Sequence, residues 1–451
     1  MSEKKGSIRG GFSGKVGFIL AGAGAAVGLG NIWRFPYLVA SGGGGMFLLV
    51  YLILALTFGI SLMCAEIAIG RKTGVSAPLA YGMLDRRFSF LGYLATLAPV
   101  LIFPYYCVIG GWVIKYTTIY IIGRGAEAAT KNYFDVFTSS ASESILFLLA
   151  FLLVSSLLVA LGVKGGIERV TKLMMPLLLA IVVFITVFIL ASSDTAAEAL
   201  SFYFLPDLTR LTPITFVNAT GQIFYSMSVA MGTMITFGSY MSRDISIKSS
   251  ARAIVWFDIA VAFLSGLMVV GATYAKTGGD PTALEEGASL LFSTLPAVFS
   301  SAAFGNILGA VFFIMVLFAA LTSAVALLET VVSAVVDKTG IHRIHALSLV
   351  TVFSAALALP SALGYNVLSG VRILGFGILD FFDFAINNLL MPLVAIISCI
   401  FIGYVIKPRT VINEMHISGK PPSARSFSFI IRYAAPFGLA VIFISSVLSI
   451  L

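Results

Sequence analysis

Eleven long apolar segments follow one another along the chain, and each is long enough to cross a membrane. A helix needs about 20 apolar residues to span the hydrocarbon core of a bilayer. The segments lie near residues 15–40, 45–69, 89–122, 144–162, 166–191, 214–241, 251–275, 306–336, 344–364, 373–406 and 427–450. They lack the alternation of membrane strands, which excludes an outer-membrane barrel. The sequence therefore predicts an all-α integral membrane protein.

The composition supports this class. Hydrophobic residues make up 59% of the 451 positions and charged residues only 11%, which excludes an ordinary soluble domain. A short basic leader precedes the first segment, but no small-residue cleavage site follows it, so we interpret the segment as a retained helix.

The positive charges predict an orientation. If the N-terminus is cytoplasmic, most Lys and Arg residues fall on the cytoplasmic side, as the positive-inside rule requires. The clusters are Arg71/Lys72, Arg86/Arg87, Lys164/Arg169/Lys172, Arg243/Lys248/Arg252 and Lys407/Arg409/Lys420/Arg425. Eleven crossings then place the C-terminus outside. The net charge of +8 is thus a topology signal, and nucleic-acid binding has little support.

Catalysis has no support in the sequence. Cys64, Cys107 and Cys399 lie singly in apolar segments, where buried small hydrophobic residues are expected. The three histidines lie in loops without metal-ligand spacing. Because no arrangement of nucleophile, base and oxyanion donors is visible, the sequence predicts that the protein is not an enzyme.

Two of the segments contain runs of small residues at membrane depth. Helix 1 carries AGAGAAVGLGN (21–31), and helix 6, five segments later, carries SMSVAMGTM (226–234). Small residues often serve close helix packing. Interrupted helices at matching places in two halves, however, are typical of transporter binding sites. Since five helices is an odd number, we predict inverted repeats at 15–191 and 214–406, with an extra helix at 427–450, within one transmembrane domain spanning 1–451.

A broken membrane helix can bind ions of both signs. Freed carbonyls can coordinate a cation, and the N–H groups of the next half-helix can bind an anion. Asn31 lies just past the first break, and Thr322 and Ser323 form a hydroxyl pair on helix 8. Such hydroxyls also commonly bond the carbonyl one turn back. Together these groups suit a zwitterion and an alkali ion.

Charged residues at membrane depth are functional candidates because burying them is expensive. Asp258 lies within helix 7, and Arg34 lies just outside the helix 1 break, with Asp383 of helix 10 as a plausible partner. For Glu66 and Glu329 we favour a structural role as hydrogen-bond anchors for neighbouring backbone.

Several separated motifs resemble one known family. GxAVGLGNIWRFP on helix 1, PYYCVIGGW on helix 3, SMSVAMG followed by TFGSY on helix 6, and LTSAVAL on helix 8 are similar to the neurotransmitter:sodium symporter family. The resemblance covers essentially the whole chain. Eleven helices, where many relatives have twelve, resemble the bacterial amino-acid transporter branch. That branch implies a bacterial inner membrane and a neutral amino acid as the substrate, and we expect a monomer to be sufficient.

The resemblance implies two sodium sites. The first would use the substrate carboxylate and four residues: Ala26 (carbonyl), Asn31, Ser226 and Asp258. The second would use three carbonyls and two hydroxyls: Gly24, Val27, Ala319, Thr322 and Ser323. The ratio of two sodium ions per substrate rests on the same resemblance.

The resemblance also implies a substrate site. The substrate carboxylate would meet the N–H groups of Leu29 and Gly30 and the Tyr106 hydroxyl. The ammonium group would meet carbonyls of four residues: Ala26, Tyr225, Ser226 and Ser228. The walls around the side chain would be Ile102, Tyr106, Tyr225, Ser228, Met231, Ser323 and Leu327.

The resemblance also implies an outer gate and an inner gate on either side of the substrate site. Outside, Arg34 and Asp383 would pair over an aromatic lid of Tyr106 and Tyr225. Inside, Arg9 would pair with Asp337, supported by Tyr240 and by Phe12, where the family often has Trp, so that this latch is expected to be weaker.

Helix 5 carries a further family feature. Gly166 and Pro176 have the spacing that the family uses to unwind this helix and hydrate the second sodium site. A proline kink is the alternative.

Two departures from the family pattern sharpen the expected mechanism. Asp258 stands where many chloride-dependent relatives have Asn, so transport is expected to be independent of chloride. A buried carboxylate without its sodium prefers the protonated form, which makes Asp258 a candidate carrier of a proton on the return step. Ala230 stands where a Gly is frequent, and its methyl group is expected to favour aliphatic or mid-sized side chains over tryptophan.

Three other functions remain as alternatives. An amino-acid sensor would bind without moving solute, but a soluble signalling domain is not apparent in the sequence. A cation channel would need a continuous polar pore. A proton-coupled amino-acid carrier using Asp258 is the nearest alternative, and replacing sodium with choline separates the two.

Overall fold

Helices account for nearly all of the architecture. A computed structural model describes residues 10–130, 132–278, 287–301 and 304–448. Within these ranges there is no β-strand, only two isolated bridges. This is the expected outcome for a chain in lipid, because a helix satisfies its backbone hydrogen bonds internally.

Nine helices in the described ranges are long and apolar enough to span a membrane unbroken. In chain order these are helix 2 (Gly45–Thr73), helix 3 (Arg86–Ile121), helix 4 (Ala141–Ala160), helix 5 (Val163–Ala191), helix 7 (Ile247–Thr277), helix 8 (Gly305–Thr339), helix 9 (Arg343–Leu363), helix 10 (Ile378–Val405) and helix 11 (Ala424–Leu448).

Helices 1 and 6 are the broken ones. Helix 1 consists of Lys15–Ala26 and Gly30–Ser41, which meet at an angle of 58°. Helix 6 consists of Pro213–Ser226 and Thr233–Ser239, each too short to span alone. Together with the nine unbroken helices they make up the eleven predicted segments. The predicted fold class, with discontinuous helices 1 and 6, is confirmed, whereas the repeat boundaries at 15–191, 214–406 and 427–450 remain predictions.

We call the face of the molecule at which helix 1 begins the inner face and the opposite face the outer face. Short helices lie in the connections: Ala77–Leu84 and Pro408–His416 on the inner face, and Ala196–Phe204 and Leu290–Ser300 on the outer face. Part of the connection before helix 8, residues 279–286, lies outside the described residues.

Burial separates a central group of helices from a peripheral one. In helices 3 and 8, 78% of the most apolar window is buried, against 28–39% in helices 4, 5, 9 and 11. Helix 3 packs along helix 8, and the first half of helix 1 packs against helices 5, 7 and 8. The broken helices therefore lie at the protected centre, where irregular backbone is tolerated.

Glycines let helix 2 approach the second half of helix 6 at backbone distance. A Cβ atom on Gly70 would lie 1.9 Å from the Ile235 carbonyl oxygen, and one on Gly238 would lie 2.4 Å from that of Ile67. No side chain fits either position. The two elements are thus packed backbone to backbone, and this fixes the position of helix 6 after its break.

Candidate functional site

The break in helix 1 exposes backbone groups at the centre of the molecule. The first half ends at Ala26, Val27 is extended, and helical structure resumes at Gly30. Carbonyls near the end of the first half have lost their partners one turn ahead, and N–H groups at the start of the second half have lost theirs one turn back. The break therefore offers acceptors and donors a few residues apart.

The break in helix 6 depends on left-handed backbone. Ser228, Ala230 and Gly232 have φ values of +51°, +68° and +73°. Non-glycine residues in this region cost about 1–2 kcal/mol each. The Glu66 carboxylate supports the break by accepting a 2.6 Å hydrogen bond from the Ala230 N–H. This is the anchoring contact expected of a buried carboxylate beside free backbone.

Direct hydrogen bonds join the two breaks. The Ser228 hydroxyl donates to the Ala25 carbonyl at 2.6 Å, and the Gln222 amide donates to the Gly30 carbonyl at 3.3 Å. Each bond runs from helix 6 to helix 1. The two irregular regions therefore form one polar centre instead of two separate packing defects.

Asp258 lies on one side of this centre, fully buried. Its Oδ1 accepts hydrogen bonds from the Asn31 amide and the Ser226 hydroxyl, both at 2.7 Å, and its Oδ2 accepts one from Tyr51 at 3.3 Å. The structure thus brings together Asn31, Ser226 and Asp258, three of the residues predicted for the first sodium site. Carboxylate, amide and hydroxyl oxygens are the donors that a hard cation prefers.

A second oxygen cluster joins helices 1 and 8. The Ser323 hydroxyl bonds the carbonyls of Gly24 at 3.2 Å and Val27 at 2.9 Å. Thr322 bonds the Ala319 carbonyl at 3.2 Å, the back-bond common in helices. All five residues predicted for the second sodium site are therefore neighbours. No group of three or more His, Cys, Asp and Glu residues that could hold a metal ion occurs within the described residues.

Between the two clusters lies a central cavity of about 50 Å³. Every residue predicted for the substrate site lines it: Ala26, Leu29, Gly30, Ile102, Tyr106, Tyr225, Ser226, Ser228, Met231, Ser323 and Leu327. The Tyr106 hydroxyl is buried and has no hydrogen-bond partner among the described residues. A buried polar atom without a partner is expensive. This hydroxyl is therefore available to a polar ligand.

On the outer side of the cavity, the predicted gate residues are apart. Arg34 lies over the Tyr225 ring, with its guanidinium carbon 5.0 Å from the ring centroid. Asp383 instead accepts hydrogen bonds from Asn387 at 2.8 Å and Tyr105 at 3.1 Å. In the described part of the chain no ion pair joins Arg34 and Asp383, although both line the same outer cavity.

On the inner side of the cavity, aromatic and charged groups close the route between the cavity and the inner face. The Phe12 ring meets those of Phe18, Phe237 and Tyr240 edge-on at 5.5–6.3 Å. Asp337 accepts bonds from the backbone N–H of Ser76 at 2.7 Å and from its hydroxyl at 2.5 Å. Arg9, the predicted partner of Asp337, lies outside the described residues.

A buried ion pair strengthens the inner side. The Tyr240 hydroxyl donates to Glu329 at 2.7 Å, and Arg343 of helix 9 approaches the same carboxylate at 2.5 Å. Ser333 also donates to Glu329, at 3.0 Å. The Glu329 side chain is completely buried. Glu329 therefore anchors side chains of two neighbouring helices, beyond the backbone role expected from the sequence.

Comparison with known proteins identifies the family. The family model described as sodium:neurotransmitter symporter family matches residues 9–125 and 138–451. The chain belongs to this family. Among curated proteins, it is 32% identical over 439 residues to the sodium-dependent transporter YhdH of Bacillus subtilis, covering 96% of each chain. It is also 25% identical over 380 residues to the human sodium- and chloride-dependent GABA transporter 2, covering 74% of this chain and 63% of the human one.

A solved member of the family has the same fold. The crystal structure of MhsT in complex with L-phenylalanine aligns with a TM-score of 0.87 and 34% sequence identity, covering 97% of this chain and 100% of that chain. Members of the sodium:neurotransmitter symporter family are transporters, not enzymes. The protein is therefore a multi-pass membrane transporter of a sodium-dependent family.

Within this symporter, helix 5 is helical through the segment predicted to unwind. Residues Val163–Glu168 form a wide π-helical turn, and an α-helix runs from Arg169 to Ala191 with Pro176 inside it. A Cβ atom on Gly166 would lie 1.9 Å from the Leu158 carbonyl oxygen, so this glycine permits close packing on helix 4. The unwinding role of Gly166 and Pro176 remains a prediction.

Sequence reasoning missed Tyr105 and Asn387, which also line the central cavity. Both bond Asp383, and through it they connect the cavity wall to the outer gate. Tyr105 lies in the PYYC motif beside Tyr106, and Asn387 lies one turn after Asp383. Helical spacing could have identified the second of these.

Proposed function

We propose that this protein is a sodium-coupled symporter of neutral, mainly hydrophobic L-amino acids, working by alternating access. The observation that carries the proposal is the meeting of both helix breaks at one small cavity with an oxygen cluster on either side. Transporters of this architecture bind substrate and coupling ions near the membrane midplane at broken helices.

The cavity suits an amino-acid backbone. The N–H groups of Leu29 and Gly30 and the Tyr106 hydroxyl would hold the substrate carboxylate. The carbonyls of Ala26, Tyr225, Ser226 and Ser228 would receive the ammonium group. Because the site pairs donors with acceptors over a few ångströms, it favours a zwitterion over a simple anion or cation.

The remaining walls suit an apolar side chain. Ile102, Met231 and Leu327 contribute only apolar atoms, and Met231 can adapt to ligands of different shape. The left-handed Ala230 does not itself line the cavity but precedes Met231, which does. We propose that its methyl group acts through Met231 to favour aliphatic or mid-sized side chains over tryptophan. The binding of L-phenylalanine by MhsT supports a hydrophobic substrate.

Two sodium ions per substrate would couple transport to the ion gradient. The first would use Ala26, Asn31, Ser226, Asp258 and the substrate carboxylate, and would make sodium and substrate binding cooperative. The second would use the Gly24, Val27, Ala319, Thr322 and Ser323 oxygens, joining helix 1 to helix 8. Each sodium ion gains about 2.3 kcal/mol per 100 mV, so two could support about a thousandfold accumulation from voltage alone.

Asp258 would make chloride unnecessary. A fixed carboxylate bonded by Asn31, Ser226 and Tyr51 supplies the negative charge that balances sodium in a low-dielectric site. On the return step, the same carboxylate could take a proton in place of sodium, because a buried, unpaired charge is expensive. We therefore propose proton antiport through Asp258 as part of the cycle.

The protein would lie in a bacterial inner membrane with its inner face cytoplasmic. The basic clusters that line the inner face then obey the positive-inside rule. The N-terminus would be cytoplasmic and the C-terminus outside. Since both oxygen clusters and the cavity come from one chain, a monomer would be sufficient for transport.

The test is uptake by purified protein in liposomes. A panel of labelled neutral amino acids would be offered under an inward sodium gradient, with chloride replaced by gluconate. Saturable accumulation that disappears when choline replaces sodium supports the proposal. Accumulation driven by a proton gradient in choline would favour a proton-coupled carrier, and binding without accumulation would favour a sensor.

A further inference from the structure

Helix 11 carries a cation on a surface that faces lipid. Arg432 lies within this helix and is half-buried, and only 28% of the most apolar window of the helix is buried. In the described part of the chain, the helix cations Arg71, Lys115 and Arg343 each pair with a carboxylate, whereas none pairs with Arg432. A charge in a membrane-spanning segment is expensive without a partner. The counterion of Arg432 is therefore expected to come from its surroundings.

Helix 10 holds the Arg432 side chain in place. The arginine Nε donates a 2.8 Å hydrogen bond to the Gly403 carbonyl, and the guanidinium carbon lies 5.7 Å from the centroid of the Tyr404 ring. The Tyr404 hydroxyl donates a 3.2 Å bond to the Arg432 carbonyl. A Cβ atom on Gly403 would lie 3.0 Å from Arg432 Cγ, so the glycine makes room for the arginine stem. The side chain is thus fixed in a groove between helices 10 and 11.

The far edge of the guanidinium group remains available to a ligand. Its Nε is bonded to Gly403, while no described residue accepts a hydrogen bond from Nη1 or Nη2 of Arg432. These two nitrogens form a planar fork that matches two oxygens of a phosphate or carboxylate group. The groove therefore suits an oxyanion.

Exposed aromatic rings place this groove at the boundary between membrane and water. Tyr404, Phe429 and Tyr433 are each more than half exposed, and the rings of Phe429 and Tyr433 lie 5.9 Å apart. Tyrosine and tryptophan rings are enriched where the lipid headgroups meet the hydrocarbon core. Helix 10 ends at Val405, close to this groove, and the polar connection of the inner face follows. The guanidinium group is therefore at the depth of lipid phosphates.

The charges around the groove favour an anionic lipid over a zwitterionic one. The Lys and Arg residues of the segment 401–433 are Lys407, Arg409, Lys420, Arg425 and Arg432. Glu414 is the acidic residue of this segment, and it is buried against Arg71. Arg425 is exposed and lies two helical turns before Arg432, so both project from the same side of helix 11. Basic pockets between helices on the cytoplasmic side are typical binding sites for anionic headgroups.

We propose that the groove between helices 10 and 11 binds the headgroup phosphate of an anionic phospholipid in the leaflet at the inner face, with Arg432 as the main ligand. Nη1 and Nη2 would bind two phosphate oxygens, and the exposed rings would pack against the glycerol and the first acyl carbons. Arg425 would attract the net negative charge of the headgroup. Helix 11 packs on helix 10 and on the first half of helix 6, so the lipid would stabilise this packing. The proposal does not depend on which solute is transported.

The first experiment measures the binding of dioleoyl phosphatidylglycerol. Purified full-length protein in detergent would be titrated with this lipid, and the bound lipid counted by native mass spectrometry. Wild type is expected to retain one lipid more tightly than any other. Arg432→Gln should weaken this binding about tenfold, because hydrogen bonds to a charged group are lost. Arg432→Lys keeps the charge but not the fork, and should weaken it about threefold.

The matched control is Arg169→Gln. Arg169 is an exposed cation near the inner end of helix 5, which packs on helices 1, 7 and 8. Its removal lowers the net charge of the protein by the same amount as Arg432→Gln. The affinity for the tightly bound lipid is expected to be unchanged.

Gly403→Ala tests the groove without removing a charge. The new Cβ atom would press on the arginine stem, so the affinity for phosphatidylglycerol should fall about threefold. Added to Arg432→Gln, it should cause no further loss. Thermal unfolding gives a second readout, because a ligand that binds only the folded protein stabilises it. Phosphatidylglycerol should raise the unfolding temperature of wild type and Arg169→Gln, and much less that of Arg432→Gln.

Three outcomes would overturn the proposal. Equal affinities of wild type and Arg432→Gln would show that the arginine is not a ligand. Equally tight binding of dioleoyl phosphatidylcholine would show an ordinary lipid contact without selection for charge. If inorganic phosphate, at the same concentration as the lipid, raised the unfolding temperature as much, the groove would be a site for a soluble anion.

Discussion

The two ends of the central cavity are held by different kinds of contact. At the inner end, the Phe12 ring packs among three other rings, and Glu329 is bonded by side chains of helices 6, 8 and 9. At the outer end, Arg34 rests on the Tyr225 ring, and Asp383 is bonded to Tyr105 and Asn387. The inner contacts are made in this structure, whereas the Arg34–Asp383 contact would be made in another.

This difference predicts which substitutions lower the thermal stability of the protein and which lower only its turnover rate. Breaking a buried contact that is already formed lowers the stability of the observed conformation. Removing a contact that is not formed leaves this conformation intact and affects only the state that uses it. Substitutions at the inner end should therefore change the unfolding temperature strongly, whereas those at the outer end should mainly change the uptake rate.

The largest effect is expected at the inner end. Arg343→Met removes the cationic partner of the buried Glu329 carboxylate and leaves it only the Tyr240 and Ser333 hydroxyls as donors, at a cost of about 3 kcal/mol. Thermal unfolding of the purified protein should begin several degrees lower, and uptake should fall more than tenfold. Arg343→Met combined with Glu329→Gln should recover part of the stability.

The control for this prediction is the exposed pair of Arg87 and Asp85, whose arginine side chain is 79% exposed. Arg87→Gln should change stability by less than about 1 kcal/mol, because exposed pairs contribute little. Equal losses at Arg343 and Arg87 would show that the inner end is not specially stabilised.

The next effect concerns the cavity between the two ends. Asp258→Asn keeps the shape of the side chain but removes its charge, so uptake in gluconate should fall by about tenfold, corresponding to about 1.4 kcal/mol. Adding chloride should restore much of the activity. Undiminished uptake in gluconate would mean that the Asp258 charge is not needed for sodium binding.

A smaller effect is expected at the outer end. Arg34→Gln should lower the unfolding temperature only slightly, because it removes the contact with the Tyr225 ring, worth about 0.5–1 kcal/mol, but no ion pair with Asp383. The maximal uptake rate should fall about fivefold, or about 1 kcal/mol. Asp383→Asn should act in the same direction. A clear loss of thermal stability in Arg34→Gln would contradict the proposed difference between the ends.

The smallest effect is expected for Phe12→Trp, which enlarges the ring cluster at the inner end. A larger ring at an already packed position gains about 0.5 kcal/mol, the low end for an aromatic contact, so turnover should slow about twofold to threefold as the inner end opens less readily. Phe12→Ala should show the opposite change, with faster turnover in the same uptake assay. Identical turnover in all three proteins would exclude a latch role for Phe12.

Much of the site could be predicted from the sequence because it is built from backbone. The breaks at 21–31 and 226–234 are encoded by local runs of small residues, and the substrate residues follow from their positions relative to those breaks. Asp258 and Thr322 were identifiable because polar groups are rare at membrane depth. The structure places these residues around one cavity.

Other contacts depend on the packing of distant helices and have no local signal. The Ser13 N–H donates a hydrogen bond to Glu168, 155 positions away, and nothing in either segment indicates the other. Asp383 was expected to face Arg34, yet Tyr105 and Asn387 bond it in this conformation. The bonding partner of a gate residue depends on the conformational state of the protein. One sequence encodes all of these states, so it does not indicate which partner is bonded in a given structure.

Ala230 has a consequence for the stability of the break in helix 6. Its backbone is left-handed, with φ of +68°, a conformation in which alanine is strained and glycine is not. Its methyl group does not line the central cavity, so replacement by glycine would relieve the strain without removing an atom from the cavity wall. The break therefore stores strain that one substitution outside the cavity wall can release.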